Sequence, residues 1–416
     1  MEIPRESYLK DLLERRQNGM IKIITGLSHS GKTYLLFKLF YKCLLENGVP
    51  EDHILKLSLS DESEWSLRNY DEVMPWIKSQ IKDGKPYYLL ADEIHLFNDG
   101  PAVLNSCQHI GNLDIYAVDR DLNLFTKLNT EYSGRWEVIH VSPLSFAEFL
   151  PTCNMPEKQA LDEYLRYGGM PYLSVCESEK QKKQFLLELL QKSYLQEIIG
   201  INHIHRVDDL KKTIAFYASS TGSFLSMRSL EDTFRAENKE SVSINTIRAY
   251  SLYLQSICLI DKVTRYDIKK RKHIASPVKF YFEDPGIRNA CLKFQNFDKG
   301  QLMENVIYNE LRRRNYSVDT GIITAYKTNP DGSQTRKYLT VDFIANFGDR
   351  RYYIQSVPQI YGSKDFDMKK EALTKIRNGF RKVIVTYDDI SPYHNEDGFL
   401  NIGLAEFLRN DNSLDL

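Results

Sequence analysis

One eight-residue segment restricts the fold more than any other part of the chain: Gly26-Leu27-Ser28-His29-Ser30-Gly31-Lys32-Thr33 has the spacing G-x-x-x-x-G-K-[ST]. It follows the apolar run Met20 to Ile24, which reads as a buried strand. It precedes Tyr34 to Glu46, where Leu35, Leu36, Leu39, Phe40 and Cys43 recur at helical spacing. Strand, glycine-bearing loop and helix in that order turn backbone N–H groups and the positive end of a helix dipole towards one point. The ligand suited to that point is a purine nucleoside triphosphate. The two glycines let the backbone wrap the phosphates, Lys32 reaches the β and γ oxygens, and the Thr33 hydroxyl ligates Mg²⁺.

The rest of the first half agrees. Apolar runs at Met20 to Ile24, Ile54 to Leu59, Tyr87 to Leu90, Leu113 to Val118 and Val138 to Val141 alternate with helical patterns, which predicts an α/β fold with a doubly wound parallel sheet. Ligands of such sheets sit at the carboxyl ends of the strands. At one such end stands Asp92-Glu93, closing the strand Tyr87-Tyr88-Leu89-Leu90-Ala91. Asp92 is expected to hold Mg²⁺ directly or through water, and Glu93 to orient and polarise the attacking water. Adjacent carboxylates favour P-loop ATPases with a glutamate base, and no N-K-x-D guanine-reading motif occurs. Met1 to Asn18 reads as a helix ahead of the core, and a helical stretch runs from Gln159 through Tyr167 to Gly168-Gly169.

At 416 residues and 42% hydrophobic content, two or three domains are expected. The six cysteines form no C-x-x-C pair and read as reduced, buried side chains of a cytosolic protein. The charged segment Met1 to Leu13 and the absence of an eighteen-residue apolar run predict neither secretion nor a membrane span.

The chain also resembles a family, the prokaryotic AAA-type ATPases that join a P-loop core to a C-terminal domain of unknown function. The resemblance is carried by Ile3-Pro4-Arg5-Glu6-Ser7-Tyr8-Leu9, the loop at 26 to 33, Leu90-Ala91-Asp92-Glu93-Ile94, Ser133-Gly134-Arg135, Val141-Ser142-Pro143-Leu144-Ser145-Phe146-Ala147-Glu148-Phe149 and Tyr167-Gly168-Gly169-Met170-Pro171. Tyr281 to Asn289 and Leu302-Met303-Glu304-Asn305 continue it. It implies ATP binding, slow hydrolysis, a winged-helix module in the middle and a restriction-nuclease-like α/β fold at the end. The corresponding divisions are 1–205, 206–292 and 293–416.

Two places depart from the family pattern. Where members carry Thr-Gly-Ser-Asn to sense the γ-phosphate, this chain reads Val118-Asp119-Arg120-Asp121, whose extra carboxylate repels a triphosphate unless Arg120 or Mg²⁺ neutralises it. Ser28-His29 stands where basic residues are common. Arg135 has two readings: an arginine finger reaching a neighbouring chain's γ-phosphate, which requires an oligomer or partner domain, or an ordinary structural arginine.

In the middle segment, Leu210 to Ser219 and Ser226 to Phe234 read as helices. A third begins after Ser243 as N-cap, with positions 244, 247, 254 and 257 on one face. A hairpin bounded by Leu259 to Arg265 and Val278 to Phe282 then carries Arg265, Lys269, Lys270, Arg271 and Lys272. This basic wing suits a DNA backbone, with a hinge or protein contact as the alternative. In the C-terminal part, Glu304 and Asp342 match the acids of restriction-type nucleases, but Gln355-Ser356-Val357 stands at the E-x-K place. With neither a second carboxylate nor a lysine there, no cutting is expected. Arg312-Arg313-Arg314 reads as a possible nucleic-acid or partner contact, or as an exposed helix end. The expectation is a cytosolic, Mg²⁺-dependent ATPase whose C-terminal modules bind DNA or protein. The alternatives are a non-hydrolysing, nucleotide-gated binding module and an ATP-regulated nuclease.

Overall fold

The structure, a computed structural model, describes residues 2–119, 135–226, 228–232, 242–328, 333–360 and 364–416. The chain divides into two compact units, Met1–Pro143 with Ser256–Cys258, and Leu144–Gln255 with Leu259–Leu416.

In the first unit each predicted apolar run becomes a strand: β1 (Ile21–Thr25), β2 (Ile54–Ser58), β3 (Tyr87–Asp92), β4 (Leu113–Val118) and β5 (Trp136–His140). Their order is β2-β3-β4-β1-β5 and every pair is parallel. Because β1, β3 and β4 are covered on both faces, they are buried at every position, hence continuous apolar runs instead of alternation. Ile23, Leu89, Ala91 and Ile115 face one core with Val73, Met74, Ile77 and Leu104 of the helices Tyr70–Gln80 and Gly100–Gln108. Ile24, Leu90, Tyr116 and Val118 face the other, packed by Tyr8 and Leu12 of the helix Glu6–Glu14 and by Leu35, Leu36, Leu39 and Phe40 after the phosphate loop. The helix expected from Tyr34 to Glu46 forms, with a π-helical stretch at Leu35–Phe40. Inside β1, Lys22 is fully buried, its Nζ 2.5 Å from Asp114 Oδ1. Asp114 Oδ2 accepts the backbone N–H of Gln17 (2.9 Å) and the hydroxyl of Tyr116 (3.0 Å), so the buried carboxylate has further donors beside Lys22.

The second unit is built on eight strands: β6 (Ile260–Asp267), β7 (Lys272–Phe282), β8 (Ser317–Thr328), β9 (Gln334–Phe347), β10 (Arg350–Val357), β11 (Arg381–Thr386), β12 (Tyr393–His394) and β13 (Leu400–Gly403). Their order is β12-β13-β11-β10-β9-β8-β6-β7. The expected hairpin is present as the antiparallel pair β6/β7, but β6 also pairs in parallel with β8. Position 292/293 therefore does not separate two sheets. A lone two-stranded hairpin is marginal in water, and the free edge of β6 gains a ladder by joining β8. Of the predicted middle helices, Val207–Ser219 and Ile244–Ser256 form, and Ser243 Oγ accepts the Thr246 N–H (3.1 Å) as the expected cap. Residues 228–232 are helical, while Phe234 lies outside the described residues.

Two sequence segments 115 residues apart meet at one junction: Asp284 Oδ2 accepts the Gly169 N–H (2.7 Å) and Asp284 Oδ1 the Ile287 N–H (2.9 Å). A Cβ on Gly168 (φ +78°) lies 2.1 Å from Asp284 Oδ1, and one on Gly286 lies 1.8 Å from the Tyr167 carbonyl oxygen, so both glycines are dictated by close approach. Burial raises the Asp284 pKa to about 6, against the three backbone N–H groups that favour its anion.

Other expectations are corrected. Arg313 and Arg314 are not an exposed contact: both pair with Glu310 and with Asp411, and only Arg312 stays largely open. Pairing with an i−3/i−4 acid on the same helix draws them inward. The six cysteines are free, but only Cys107 and Cys258 are buried and the other four are half-buried. Among the described residues no helix is long and apolar enough to cross a membrane.

Candidate functional site

The phosphate-type loop leaves the carboxyl end of β1 and runs into the helix starting at Lys32. Three residues turn with positive φ: Gly26 (+135°), His29 (+66°) and Gly31 (+98°). A Cβ on Gly26 falls 2.3 Å from the Val141 carbonyl oxygen, so this position admits no side chain. Lys32 Nζ sits in the curl of the loop, 2.8 Å from the Gly26 carbonyl oxygen and 2.9 Å from that of Leu27. Ser30 Oγ is buried in the same loop and has no hydrogen-bond partner among the described residues. A curled backbone, a buried ammonium and an orphaned hydroxyl fit a multiply charged oxyanion.

Asp92 ends β3, buried, with its backbone continuing into Glu93. Burial raises the Asp92 pKa; a hydrogen bond with Thr33 opposes this, the Glu93 charge adds to it, and the Lys32 charge again opposes. The two motifs, about sixty residues apart in the chain, thus meet through Thr33, Lys32 and Asp92. Thr33 and Asp92 present the oxygen ligands a hard cation such as Mg²⁺ takes. Glu93 itself adopts φ +56°, a conformation that costs a residue with a side chain about 1–3 kcal/mol and is held only where the surroundings enforce it.

The turn after Glu93 brings in a residue the sequence reading passed over. The short 3₁₀ segment Ile94–Leu96 sets His95 Nε2 3.2 Å from Glu93 Oε2 and His95 Nδ1 3.6 Å from Asp119 Oδ1. Asp119, just past β4, is anchored by its N–H to the Ile24 carbonyl oxygen (3.0 Å). A histidine two residues after an acid pair at a strand end was the available signal. Of the sensor-place residues, Arg120 and Asp121 lie outside the described residues, as do Ser133 and Gly134 before Arg135.

Arg135 is not part of this constellation. Its carbonyl oxygen accepts the Ile21 N–H (3.0 Å) and its Nη1 donates to Asn105 Oδ1 (2.8 Å), at the amino end of β1. The phosphate loop leaves the opposite end of that five-residue strand, roughly 16 Å away at ~3.3 Å per residue. Arg135 therefore meets no phosphate held by its own chain's loop.

In the second unit the structure brings Glu304 and Asp342 together, as expected. It overturns the expectation that no cation stands opposite: Lys279 and Lys369 both pair with Asp342. Lys279 comes from β7 and Lys369 from the helix Lys364–Thr374, so neither belongs to the local E-x-K spacing.

Residues 18–150 match the family model of an AAA domain, and residues 158–298 match that of a domain of unknown function, DUF8612. The match to an AAA domain falls on the part of the chain that carries the parallel sheet and the loop at the end of β1. The chain is similar along most of its length to an uncharacterised protein of Haemophilus influenzae, 27% identical over 392 residues, covering 92% of this chain and 93% of that protein. A Methanocaldococcus jannaschii protein, likewise uncharacterised, is 24% identical over 386 residues, covering 89% of this chain and 82% of that protein. The Orc1 protein of Aeropyrum pernix, solved in complex with DNA, overlaps 70% of this chain and 92% of its own at 12% identity and a TM-score of 0.29, too distant a likeness to speak for function.

Proposed function

We propose that this is a cytosolic ATPase: the first unit binds ATP, hydrolyses it slowly with Mg²⁺, and passes its nucleotide state to a DNA or protein partner held by the second unit. The observation that carries this reading is the meeting of Thr33, Lys32 and Asp92 at the carboxyl ends of β1 and β3, with Glu93 next in the chain. In this reading the backbone of Gly26, Leu27, Ser28, His29, Ser30 and Gly31 cradles the phosphates. Lys32 exchanges its two loop carbonyls for β and γ oxygens. Thr33 and Asp92 hold Mg²⁺, which when bound neutralises charge developing on the phosphoryl oxygens. Glu93 orients the attacking water and takes its proton. His95 fixes the Glu93 carboxylate from the side. Arg135 acts on a neighbour's triphosphate, which requires an oligomer, such as a homo-oligomer, or a partner domain.

For the second unit we read Val207–Ser219, the helical residues 228–232, Ile244–Ser256 and the β6/β7 hairpin as a winged helix, and the remaining sheet as a restriction-nuclease-like fold. The exposed basic tip, Lys269, Lys270, Arg271 and Lys272, supports an anionic partner such as DNA, bound with steep salt dependence. A non-hydrolysing, nucleotide-gated module is the second reading, favoured by the engagement of Glu93 with His95.

ATP affinity and turnover measured on three proteins test both. Lys32→Ala should lose most ATP affinity, and Glu93→Gln should bind ATP yet hardly turn it over. Equal affinity of wild type and Lys32→Ala ends both readings. Wild-type binding without turnover leaves the second.

A further inference from the structure

Four charges are gathered in the second unit, outside the phosphate loop. Glu304 lies on the helix Lys299–Arg313, Asp342 on β9, Lys279 on β7 and Lys369 on the helix Lys364–Thr374. Their side chains are 12%, 5%, 5% and 19% exposed. Lys279 Nζ stands between the two acids, 2.7 Å from Glu304 Oε1 and 3.6 Å from Asp342 Oδ1. Lys369 Nζ lies 2.9 Å from Asp342 Oδ2 and 2.5 Å from the Ser356 carbonyl oxygen, and its second acidic neighbour, Asp365, is 3.7 Å away. The Tyr281 hydroxyl donates to Glu304 Oε1 (2.6 Å), and the Ser356 N–H to Asp342 Oδ2 (2.9 Å). The core of the cluster, two acids and two ammonium groups, is electrically neutral.

Two carboxylates converging on one buried point repel each other, and both stay ionised only if a cation sits between them. A divalent metal with oxygen ligands is one such cation. Here the point is taken by an ammonium on a short tether. Lys279 projects from the buried half of β7, with its Nζ over the Phe224 ring at 5.3 Å. The neighbouring Gln355 is already engaged by the protein. Its Oε1 accepts the Asp342 N–H (3.0 Å) and its Nε2 donates to the carbonyl oxygens of Thr340 (2.9 Å) and Lys369 (3.2 Å). The charges respond accordingly. Burial pushes the Glu304 pKa up, with Lys279 opposing. Burial also works against the Asp342 charge, but Lys369 and Lys279 outweigh it and its pKa falls below the ordinary value.

We propose that Lys279 is a built-in substitute for a divalent cation: Glu304 and Asp342 form a latent site for Mg²⁺ or Mn²⁺, closed by the Lys279 ammonium. The expectation that phosphodiesters are not cut then rests on a filled metal position, not on a missing lysine. The proposal does not rest on ATP binding.

The test uses the full chain without nucleotide. Free Mn²⁺ is followed by electron paramagnetic resonance, and thermal melting is recorded in Mn²⁺ and in EDTA. Wild type should show no stoichiometric Mn²⁺ site and melt identically in both. Lys279→Ala should gain about one Mn²⁺ per chain, at least tenfold tighter than anything wild type binds, and melt higher in Mn²⁺; adding Asp342→Asn should remove that gain. If Lys279→Ala does not fold in EDTA, recovery of its fold by Mn²⁺ supports the proposal, and failure to recover overturns it. A stoichiometric wild-type site lost in Asp342→Asn also overturns it, as does a folded Lys279→Ala that takes up no Mn²⁺.

Discussion

Replacing Gly26 by alanine tests the site through its backbone instead of its charge. At φ +135° the position disfavours any side chain, at a cost of about 1–3 kcal/mol. The added Cβ falls 2.3 Å from a main-chain oxygen, that of Val141, which no rotamer change can move. Relief requires the start of the loop to slide away from the segment after β5, where the Val141 N–H donates to the Thr25 carbonyl oxygen at 2.8 Å; that bond contributes about 1 kcal/mol. The total is about 2–4 kcal/mol. If the loop must return to its native curl to wrap phosphates, ATP affinity falls by about 30-fold to about 1,000-fold at ~1.4 kcal/mol per decade. Titration with a fluorescent ATP analogue and thermal melting, run beside Lys32→Ala, separate strain from charge: Gly26→Ala should lose both affinity and melting temperature, Lys32→Ala affinity alone. Binding by Gly26→Ala within threefold of wild type, at an unchanged melting temperature, refutes the argument.

Two further outcomes are expected. Because Arg135 lies at the far end of β1 from its own loop, inactive Arg135→Ala mixed with inactive Glu93→Gln should regain partial ATPase activity in a shared assembly; mixtures no more active than either parent return Arg135 to a structural role. Asp284, raised from 3.8 to about 6 chiefly by burial, holds its proton more tightly folded than unfolded, so its contribution is present at acid pH and is lost as pH rises from about 4 through about 6. Relative to Asp284→Asn, wild type should lose roughly 3 kcal/mol between pH 4 and pH 7 in urea denaturation, at ~1.4 kcal/mol per pKa unit; a difference flat with pH contradicts the assignment.

The loop at 26–33, the five parallel strands and the acid pair Asp92-Glu93 were legible in the sequence, because each is a contiguous pattern whose chemistry lies within a few residues. A strand covered on both faces must be apolar throughout, and a phosphate loop needs its glycines at fixed spacing. Even there Lys22, inside an apolar run, gave no hint of its partner Asp114, 92 residues on. What the tertiary structure decided was charge compensation. His95 meets Asp119 because β3 and β4 are neighbours in the sheet. Gly168 is explained by Asp284, and Gly169 by the Leu144 carbonyl oxygen, 2.1 Å from where its Cβ would stand. The E-x-K rule misjudged Asp342, because its cations arrive from β7 and from the helix Lys364–Thr374 instead of from the next residues on its own hairpin. A carboxylate is neutralised by whatever cation stands within about 4 Å, and that distance is set by strand register and helix packing, not by separation along the chain.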